Sequence, residues 1–397
     1  MAWRFILALA LGALAPAQAG EWVFDAPRDV AGAARTGVFT QLDGAGRRHL
    51  AVSGDVLAVV WSDRRAGSYQ AWAAFGAGDS DFTAPMRLST GNEAYAPTVA
   101  ALGDGRFLFA WEQDGRVWAR SGDAQGLGPA RMLDDAPSEQ PSVAAGGGGA
   151  AIAWARREGR FLRLYFSRLQ SGDDGWRATD VQPVDREPAR DDQLYPSLVS
   201  VGDGYVIGWE DRRHGHTRLF TARWQGDGFT APRPLNEVPP SASATFGRGT
   251  GVTRVVLDAC GDRVAAVWMD KRDFRSGYDV YAAVSEDGGA SFGRNEKVQD
   301  VFGDGAPQWR PAVAISPAGT VLAAWDDNRD ERSDLWLSLR DADGAWSDDF
   351  SPPGAHGPEA QTAPAIAFDD DGRLHLLWVE RNANGATALR HLRGRNP

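Results

Sequence analysis

An apolar run that ends in tryptophan and passes directly into charged residues recurs seven times along the chain. The spacing between successive tryptophans ranges from 43 to 59 residues and averages about 53. A fixed period in this range is typical of solenoids, arrays and propellers, in which each repeat is one supersecondary unit. The repeat therefore constrains the architecture more tightly than the function. The seven tryptophans are Trp61, Trp111, Trp154, Trp209, Trp268, Trp325 and Trp378.

Each repeat contains the pattern of four short strands. The apolar run before the tryptophan has strand length and follows a turn rich in Gly and Asp, as at residues 103–105 and 202–204. Another strand often precedes that turn and follows a proline, a third follows the charged loop, and a weaker fourth lies near the Phe-Thr-Ala-Pro segments at 82–85 and 229–232. Four strands in about 53 residues describe a propeller blade. The sequence predicts an all-β, seven-bladed β-propeller with four-stranded blades.

The two ends of the chain complement each other. The seventh repeat stops after its third strand, near residues 388–392, whereas residues 21–28 resemble the fourth strand of other repeats. We expect the N-terminal segment to complete the last blade and close the ring, which removes open sheet edges.

Outside the repeats lies an N-terminal leader. Residues 1–19 combine Arg4, an apolar stretch at 5–15 and a small-residue cleavage site at 17–19, which predicts a signal peptide and a secreted or periplasmic protein. The apolar stretch is too short to span a bilayer, so no membrane span is predicted. Residues 20–397 then form one propeller domain, which we expect to be monomeric. The net charge of −11 argues against nucleic acid as a partner.

The loops after the tryptophans are the candidate functional region, because loops mounted on rigid scaffolds often carry function. In four repeats an Asp follows two residues after the tryptophan and an Arg four residues after it. One interpretation is structural: the pair pins the turn or bridges neighbouring blades. The other is that arginines of these loops hold an anionic sugar at one end of the central channel. The predicted substrate-binding residues are Arg64, Arg65, Arg212, Arg213, Arg272 and Arg329.

The segment 285–292, Ser-Glu-Asp-Gly-Gly-Ala-Ser-Phe, matches the Asp-box pattern of the bacterial neuraminidase repeat, and degenerate versions occur at 171–176 and 341–346. On these motifs the chain resembles the sialidase-like (BNR/Asp-box) β-propeller superfamily. The resemblance implies a propeller whose Asp boxes are structural turns on the face opposite the active site. The chain departs from true sialidases, since it lacks their early Phe-Arg-Ile-Pro-like segment and has seven predicted blades where they have six. Seven-bladed members of the superfamily include lyases and glycosidases of uronic-acid glycans that use His and Tyr for proton transfer.

Four residues in or beside the fourth repeat are the predicted catalytic groups. His214 and His216 follow the charged loop directly and could act as general bases at neutral pH. Glu210 lies in the same loop, and Tyr195 precedes the first strand of this repeat. Solvated loop histidines, or a metal site with a distant third ligand, are the alternatives; we predict no cofactor and no metal.

Two functions remain open at this point. The first is the binding or processing of an acidic saccharide, as a glycoside hydrolase or polysaccharide lyase if the protein is an enzyme. The second is a non-catalytic periplasmic or extracellular propeller that binds a protein partner or serves in assembly. A pocket of unlike residues favours the first, whereas a shallow face of repeated Asp-Arg pairs favours the second.

Overall fold

The computed structural model describes residues 22–32, 37–42, 47–188, 190–213, 215–237, 251–273, 277–341 and 343–396. Seven antiparallel sheets follow one another along these residues, and the first strand of each sheet contacts the first strand of the next. This arrangement is a seven-bladed β-propeller, which confirms the predicted fold and the propeller that the superfamily resemblance implies. Within the described ranges the single helix is a 3₁₀ turn at Gly303–Gly305. The signal peptide predicted at 1–19 lies outside the described residues.

Three strands recur in every blade. The inner strands are Leu50–Ser53, Ala94–Gly103, Ser138–Gly146, Gln193–Val201, Thr253–Cys260, Trp309–Ile315 and Ala360–Phe368. The second strands are Val56–Asp63, Arg106–Gln113, Gly149–Glu158, Gly204–Asp211, Arg263–Asp270, Val321–Asp327 and Leu374–Arg381. The third strands are Gln70–Ala77, Arg116–Asp123, Phe161–Gly172, Arg218–Arg223, Asp279–Ser285, Asp334–Arg340 and Thr387–Arg395.

The outer strands are shorter and less regular. In blades one to five they are Met86–Arg87, the pair Gly126–Leu127 and Arg131–Met132, Gly175–Pro183, Arg233–Pro234 and Glu296–Lys297. Blade six has two isolated bridges in place of an outer strand, Leu337 to Phe350 and Arg340 to Trp346. The weak fourth-strand pattern in the sequence thus reflects real irregularity at the rim.

The ring closes through the N-terminal segment, as predicted. Val23–Phe24 pairs with Arg395 and Gly394, and Arg28–Asp29 pairs with His391 and Arg390. Both segments pair alongside the third strand of blade seven, Thr387–Arg395. Strands from the two ends of the described chain therefore share one sheet.

The core is divided among the spaces between blades. Seven apolar clusters each combine residues of two adjacent blades, and one of them joins blade seven to blade one. All seven repeat tryptophans are 0% exposed. Large aromatic side chains contribute much apolar area per residue, which explains why one is placed in every blade. Among the described residues no helix has the length and apolar character needed to cross a membrane.

The inner strands surround a central channel with two distinct ends. We call the end at which the inner strands begin the upper face; the loops between second and third strands also lie there, since adjacent strands are antiparallel. The opposite end is the lower face. The channel holds a cavity of about 290 Å³, walled largely by alanine and valine. Across it Arg48 of blade one pairs with Asp258 of blade five at 2.5 Å.

Candidate functional site

The Asp-Arg pairs of the upper face form closed hydrogen-bonded units beneath the loops. In blade five, Asp270 is fully buried and its Oδ2 accepts the indole N–H of Trp268 at 3.1 Å. The same carboxylate pairs with the guanidinium of Arg272 at 2.6 Å and accepts the Arg272 backbone N–H at 2.8 Å. Equivalent units occur in blades one, four and six around Asp63, Asp211 and Asp327.

Each of these arginines also covers an aromatic ring of the third strand. The guanidinium carbons lie 4.0 to 5.2 Å from the ring centres of Trp72, Phe220, Tyr281 and Trp336. Stacking of this kind suits arginine, whose planar head can donate at its edge while a face rests on a ring. Trp, Asp, Arg and a third-strand aromatic therefore act as one packing unit.

Blade three builds the same unit from different positions. Its tryptophan is followed by Arg156, and the acid comes from Asp134 on the segment that leads into the blade. Asp134 accepts the Trp154 indole at 2.6 Å and the Arg156 Nε–H at 2.7 Å, and Arg156 stacks on Tyr165 at 4.0 Å. The sequence pattern appeared broken in this repeat, but the contact is conserved in space.

These contacts are those expected of the structural interpretation. The side chains of Arg65, Arg213, Arg272 and Arg329 are between 6% and 18% exposed and are engaged with acids of the protein itself. Arg64 and Arg212 are exposed, and the Arg64 guanidinium lies 5.7 Å from the ring centre of Tyr69. His214 lies outside the described residues, and His216 is half-buried in the same loop. A role in binding or transforming a substrate stays a prediction for the ten residues.

The inner strands carry a second repeated feature at the upper face. In blades two to seven a bulge places one residue that is not glycine in the left-handed region, with φ between 51° and 64°. Such a conformation is costly for a residue with a Cβ and persists only where its surroundings enforce it. The six residues are Ala96, Gln140, Tyr195, Arg254, Arg310 and Ala363.

Side-chain oxygens of the preceding blade hold several of these bulges. Glu112, Glu210 and Asp326, each directly after a repeat tryptophan, accept the backbone N–H of Gln140, Arg254 and Ala363 at 2.7, 2.7 and 3.0 Å. The Gln140 side chain accepts the N–H of Tyr195 at 2.6 Å. Glu210 thus shares a clamping position with acids of two other blades.

The bulge residues differ sharply around the ring. Blades two and seven present alanine, whereas blades four, five and six present Tyr195, Arg254 and Arg310 in succession. Arg310 is bound by two hydrogen bonds to buried Asp326 of its own blade, at 2.8 and 2.5 Å. The Arg254 guanidinium lies 4.1 Å from the centre of the Tyr195 ring, and among the described residues it has no hydrogen-bond acceptor and no ion pair. The nearby acid is Glu210, whose pKa the Arg254 charge lowers.

Three further side chains of blades five and six add to this group of residues on the upper face. The Lys271 ammonium lies 4.1 Å from the ring centre of Tyr278, and Tyr278 meets Trp309 edge to face at 5.3 Å between ring centres. Trp309 is 37% exposed although it is a large aromatic residue. We refer to Tyr195, Arg254, Lys271, Tyr278 and Trp309 as the mouth cluster.

The electrostatics of the mouth cluster tie it to Glu210. Burial raises the pKa of Tyr278, the charge of Glu210 raises it further, and Arg254 opposes both effects. Burial likewise raises the pKa of Glu210, against hydrogen bonds from Thr253 Oγ1 at 2.6 Å and from the Arg254 backbone, and against the charges of Arg254 and Arg212. Two of the predicted catalytic residues therefore contact Arg254: its guanidinium lies over the Tyr195 ring, and its backbone N–H donates to Glu210.

Sequence reasoning missed Arg254 and Trp309 because it followed the loops after the tryptophans. Lys271 and Tyr278 lie in one of those loops, but they were passed over because they are not part of the repeated Asp-Arg pattern. A usable signal was the residue before proline in the inner strand. That position is Tyr195 in blade four and Arg310 in blade six, with Trp309 directly before it. Arg254 precedes valine instead, so only alignment of the repeats could have found it.

The segment 285–292 lies between the third and outer strands of blade five, on the lower face. Asp287 accepts hydrogen bonds from the Ser291 backbone at 2.9 Å and from the hydroxyls of Ser285 and Ser291 at 2.7 and 2.5 Å. These bonds lower the pKa of Asp287 to about 2. The segment is a self-contained turn, remote from the mouth cluster.

Comparison with known proteins concerns the fold. No protein-family model and no curated protein matches the chain. A protein of unknown function from Dyadobacter fermentans is similar, with a TM-score of 0.56 and 12% identity over 95% of this chain and 99% of its own. A prolyl endopeptidase is similar with a TM-score of 0.51 and 13% identity, over 86% of this chain and 46% of its own. The sialidase of Trypanosoma rangeli gives 0.44 and 11% identity, over 78% and 56%. At these identities the similarity shows the propeller fold alone.

Proposed function

We propose that the protein binds an acidic saccharide at the mouth cluster. The observation that carries the proposal is the Arg254 guanidinium, which is stacked on Tyr195 and has no acceptor among the described residues. A guanidinium so placed presents its donors to a carboxylate or sulfate, which it can bind through two parallel hydrogen bonds. The neighbouring Tyr278 and Trp309 add aromatic surface that can cover the apolar face of a sugar ring.

Export is part of the same proposal, because the leader at 1–19 predicts a protein that meets glycans outside the cytoplasm. N-terminal sequencing of the protein recovered from its native compartment tests this point. Cleavage before Gly20 supports it, whereas an intact Met1 overturns it.

The binding test uses the purified protein with sialyllactose, oligogalacturonate, alginate and chondroitin sulfate, followed by calorimetry. We expect at least one anionic glycan to bind and the neutral cello-oligosaccharide control not to bind. Arg254→Ala should weaken binding at least about tenfold, the loss expected when a charge-assisted pair of about 1.5–3 kcal/mol is removed. Binding of neutral and anionic glycans with equal affinity would contradict the proposal.

The same incubations decide whether binding leads to reaction. Release of reducing ends with absorbance near 235 nm identifies a lyase, and reducing ends alone identify a hydrolase. Activity that is lost in His216→Ala or Tyr195→Phe at unchanged melting temperature assigns the predicted proton-transfer roles. Binding without turnover leaves a carbohydrate-binding propeller.

A second candidate function is a protein-binding or assembly module. Val301 and Phe302, in the segment between blades five and six, are 79% and 81% exposed. Exposed apolar residues on a rigid scaffold are typical of contact surfaces between proteins. A partner that is lost in Phe302→Ser, together with silence across the glycan panel, favours this function.

A further inference from the structure

Three side chains able to bind a metal converge on the upper face of blade six. Asp330 and Asp334 belong to the loop and third strand that follow Trp325, and His356 lies in the segment that leads to blade seven. One ligand atom from each lies within 4.8 Å of the others. In the part of the chain that the structure describes, no other trio of His, Cys, Asp or Glu converges in this way.

The framework that holds the trio is well ordered by hydrogen bonds. Asp334 begins the third strand, and its side chain is 3% exposed. Its Oδ1 accepts the Gly357 N–H at 3.2 Å, and its Oδ2 faces the Nδ1 of His356 at 3.2 Å. The same two segments are joined by the Leu335 N–H, which donates to the Ala355 carbonyl at 3.1 Å. The ligand atoms are therefore positioned by backbone contacts on both sides.

The two carboxylates of the trio, Asp330 and Asp334, form no ion pair with an arginine or lysine among the described residues. The adjacent Asp327, in contrast, is neutralised by Arg329 at 2.6 Å. A bound cation supplies the positive charge that these carboxylates lack.

Two buried oxygens without donors lie on the segment that follows His356 in the chain. Gln361 is 3% exposed, its Oε1 has no hydrogen-bond donor, and its backbone N–H donates at 2.7 Å to Ser333, the residue before Asp334. The Oε2 of Glu359, three residues after His356, is also buried without a donor. Because buried acceptors are nearly always satisfied, these oxygens require a donor, such as a water molecule, that the described residues do not provide.

We propose that Asp330, Asp334 and His356 bind one first-row divalent metal ion, such as Zn²⁺, with water in the remaining positions. Imidazole favours transition metals over Ca²⁺ and Mg²⁺, and three protein ligands leave an open position. Asp330 is exposed and the His356 side chain is 50% exposed, so the ion can reach the site from solvent. The ion would cross-link the blade-six loop to the segment leading into blade seven. This site is separate from the mouth cluster and does not depend on the proposed function.

The test uses the full chain after dialysis against EDTA, titrated with Co²⁺ as a spectroscopic probe and then with Zn²⁺. We expect one equivalent of Co²⁺ to give visible d–d absorption, which Zn²⁺ abolishes by displacement. Asp330→Asn and His356→Gln alter exposed side chains and should keep the native circular dichroism spectrum while weakening Zn²⁺ binding at least about tenfold. Asp343→Asn, on the lower face of the same blade, is the matched control and should bind as the parent does.

Unchanged Zn²⁺ affinity in both ligand variants would overturn the proposal, because the ion then binds elsewhere. The same holds if Zn²⁺ does not bind, or if Ca²⁺ binds more tightly than Zn²⁺.

Discussion

Two arginines of blade five, Arg272 and Arg254, show how differently one residue type is used in this fold. Arg272 follows the repeat tryptophan, its side chain is 6% exposed, and its donors reach Asp270 and Asn295. Arg254 lies on the strained bulge of the inner strand, rests on Tyr195, and has no acceptor among the described residues. The first arrangement recurs around the ring and is internally satisfied, while the second occurs once in the part of the chain that the structure describes and has open donors. An arginine whose contacts recur in several blades and whose donors have acceptors within the protein indicates a structural role. An arginine that has no acceptor and lies among residues of different types indicates a ligand site.

The largest expected effect comes from breaking a repeated unit. Asp270→Ala removes a fully buried carboxylate that serves the Trp268 indole, the Arg272 guanidinium and the Arg272 backbone. Breaking one side of a buried ion pair costs about 3–5 kcal/mol, because the remaining charge stays buried without a partner. Denaturant unfolding measures this loss. Asp262→Ala, an exposed position in the same blade, should change the unfolding free energy by less than about 0.5 kcal/mol.

Blade seven gives a third case for comparison with Arg272 and Arg254. It contains residues of different types whose polar atoms have partners. Arg28 donates to His391 Nδ1 at 3.5 Å, His391 Nε2 lies 3.1 Å from His375 Nδ1, and His375 Nε2 lies 3.6 Å from Asp369. These contacts run from the closing strand through both imidazole rings to Asp369 at the channel wall. A group of unlike residues that belongs to one blade is therefore not by itself a ligand site.

Low pH should weaken the contact between the N-terminal closing strand and blade seven. His391 is 0% exposed, and burial, followed by the charges of His375, Arg28 and Arg393, lowers its pKa well below the ordinary value. Below about pH 6.5 the unfolded chain binds this proton more readily, so stability falls with falling pH by up to about 1.4 kcal/mol per unit.

The measurement is the unfolding free energy between pH 7.5 and 5, compared with His391→Asn, which keeps an acceptor for Arg28. Asp279 and Asp349, whose pKa values are raised to about 6 and about 7, contribute with the opposite sign and cancel in the difference. The parent should lose stability relative to the variant as the pH falls. A pH-independent difference would show that His391 does not titrate as described.

The smallest expected effect concerns Glu210. Glutamine keeps an oxygen that can accept from Thr253 and from the Arg254 backbone, so Glu210→Gln should change stability by less than about 1 kcal/mol. If Glu210 only positions the bulge, glycan affinity also stays within about twofold of the parent. A loss of turnover at unchanged affinity would instead assign it the predicted catalytic role.

The fold was accessible from sequence, whereas the mouth cluster was not. The tryptophan period and the incomplete seventh repeat predicted the blade number and the closing strand, because both features are local in sequence and imposed by core packing. Blade three shows where prediction from a local sequence pattern stops. There Asp134, 20 residues before Trp154, takes the place of the missing acid after the tryptophan. Arg254 and Trp309 lie on the inner strands of neighbouring blades, and Tyr278 directly precedes the third strand of blade five. Their proximity is a property of the ring, and the residue before proline marks only the position next to Trp309.

The most direct test compares Arg254→Ala with Arg272→Ala in calorimetric binding of the anionic glycan panel and in denaturant unfolding. We predict that Arg254→Ala loses at least about tenfold in glycan affinity at nearly parental stability. We predict that Arg272→Ala loses about 3–5 kcal/mol of stability and, while folded, binds as the parent does. Loss of binding in Arg272→Ala with unchanged binding in Arg254→Ala would contradict the account and return the site to the repeated loops.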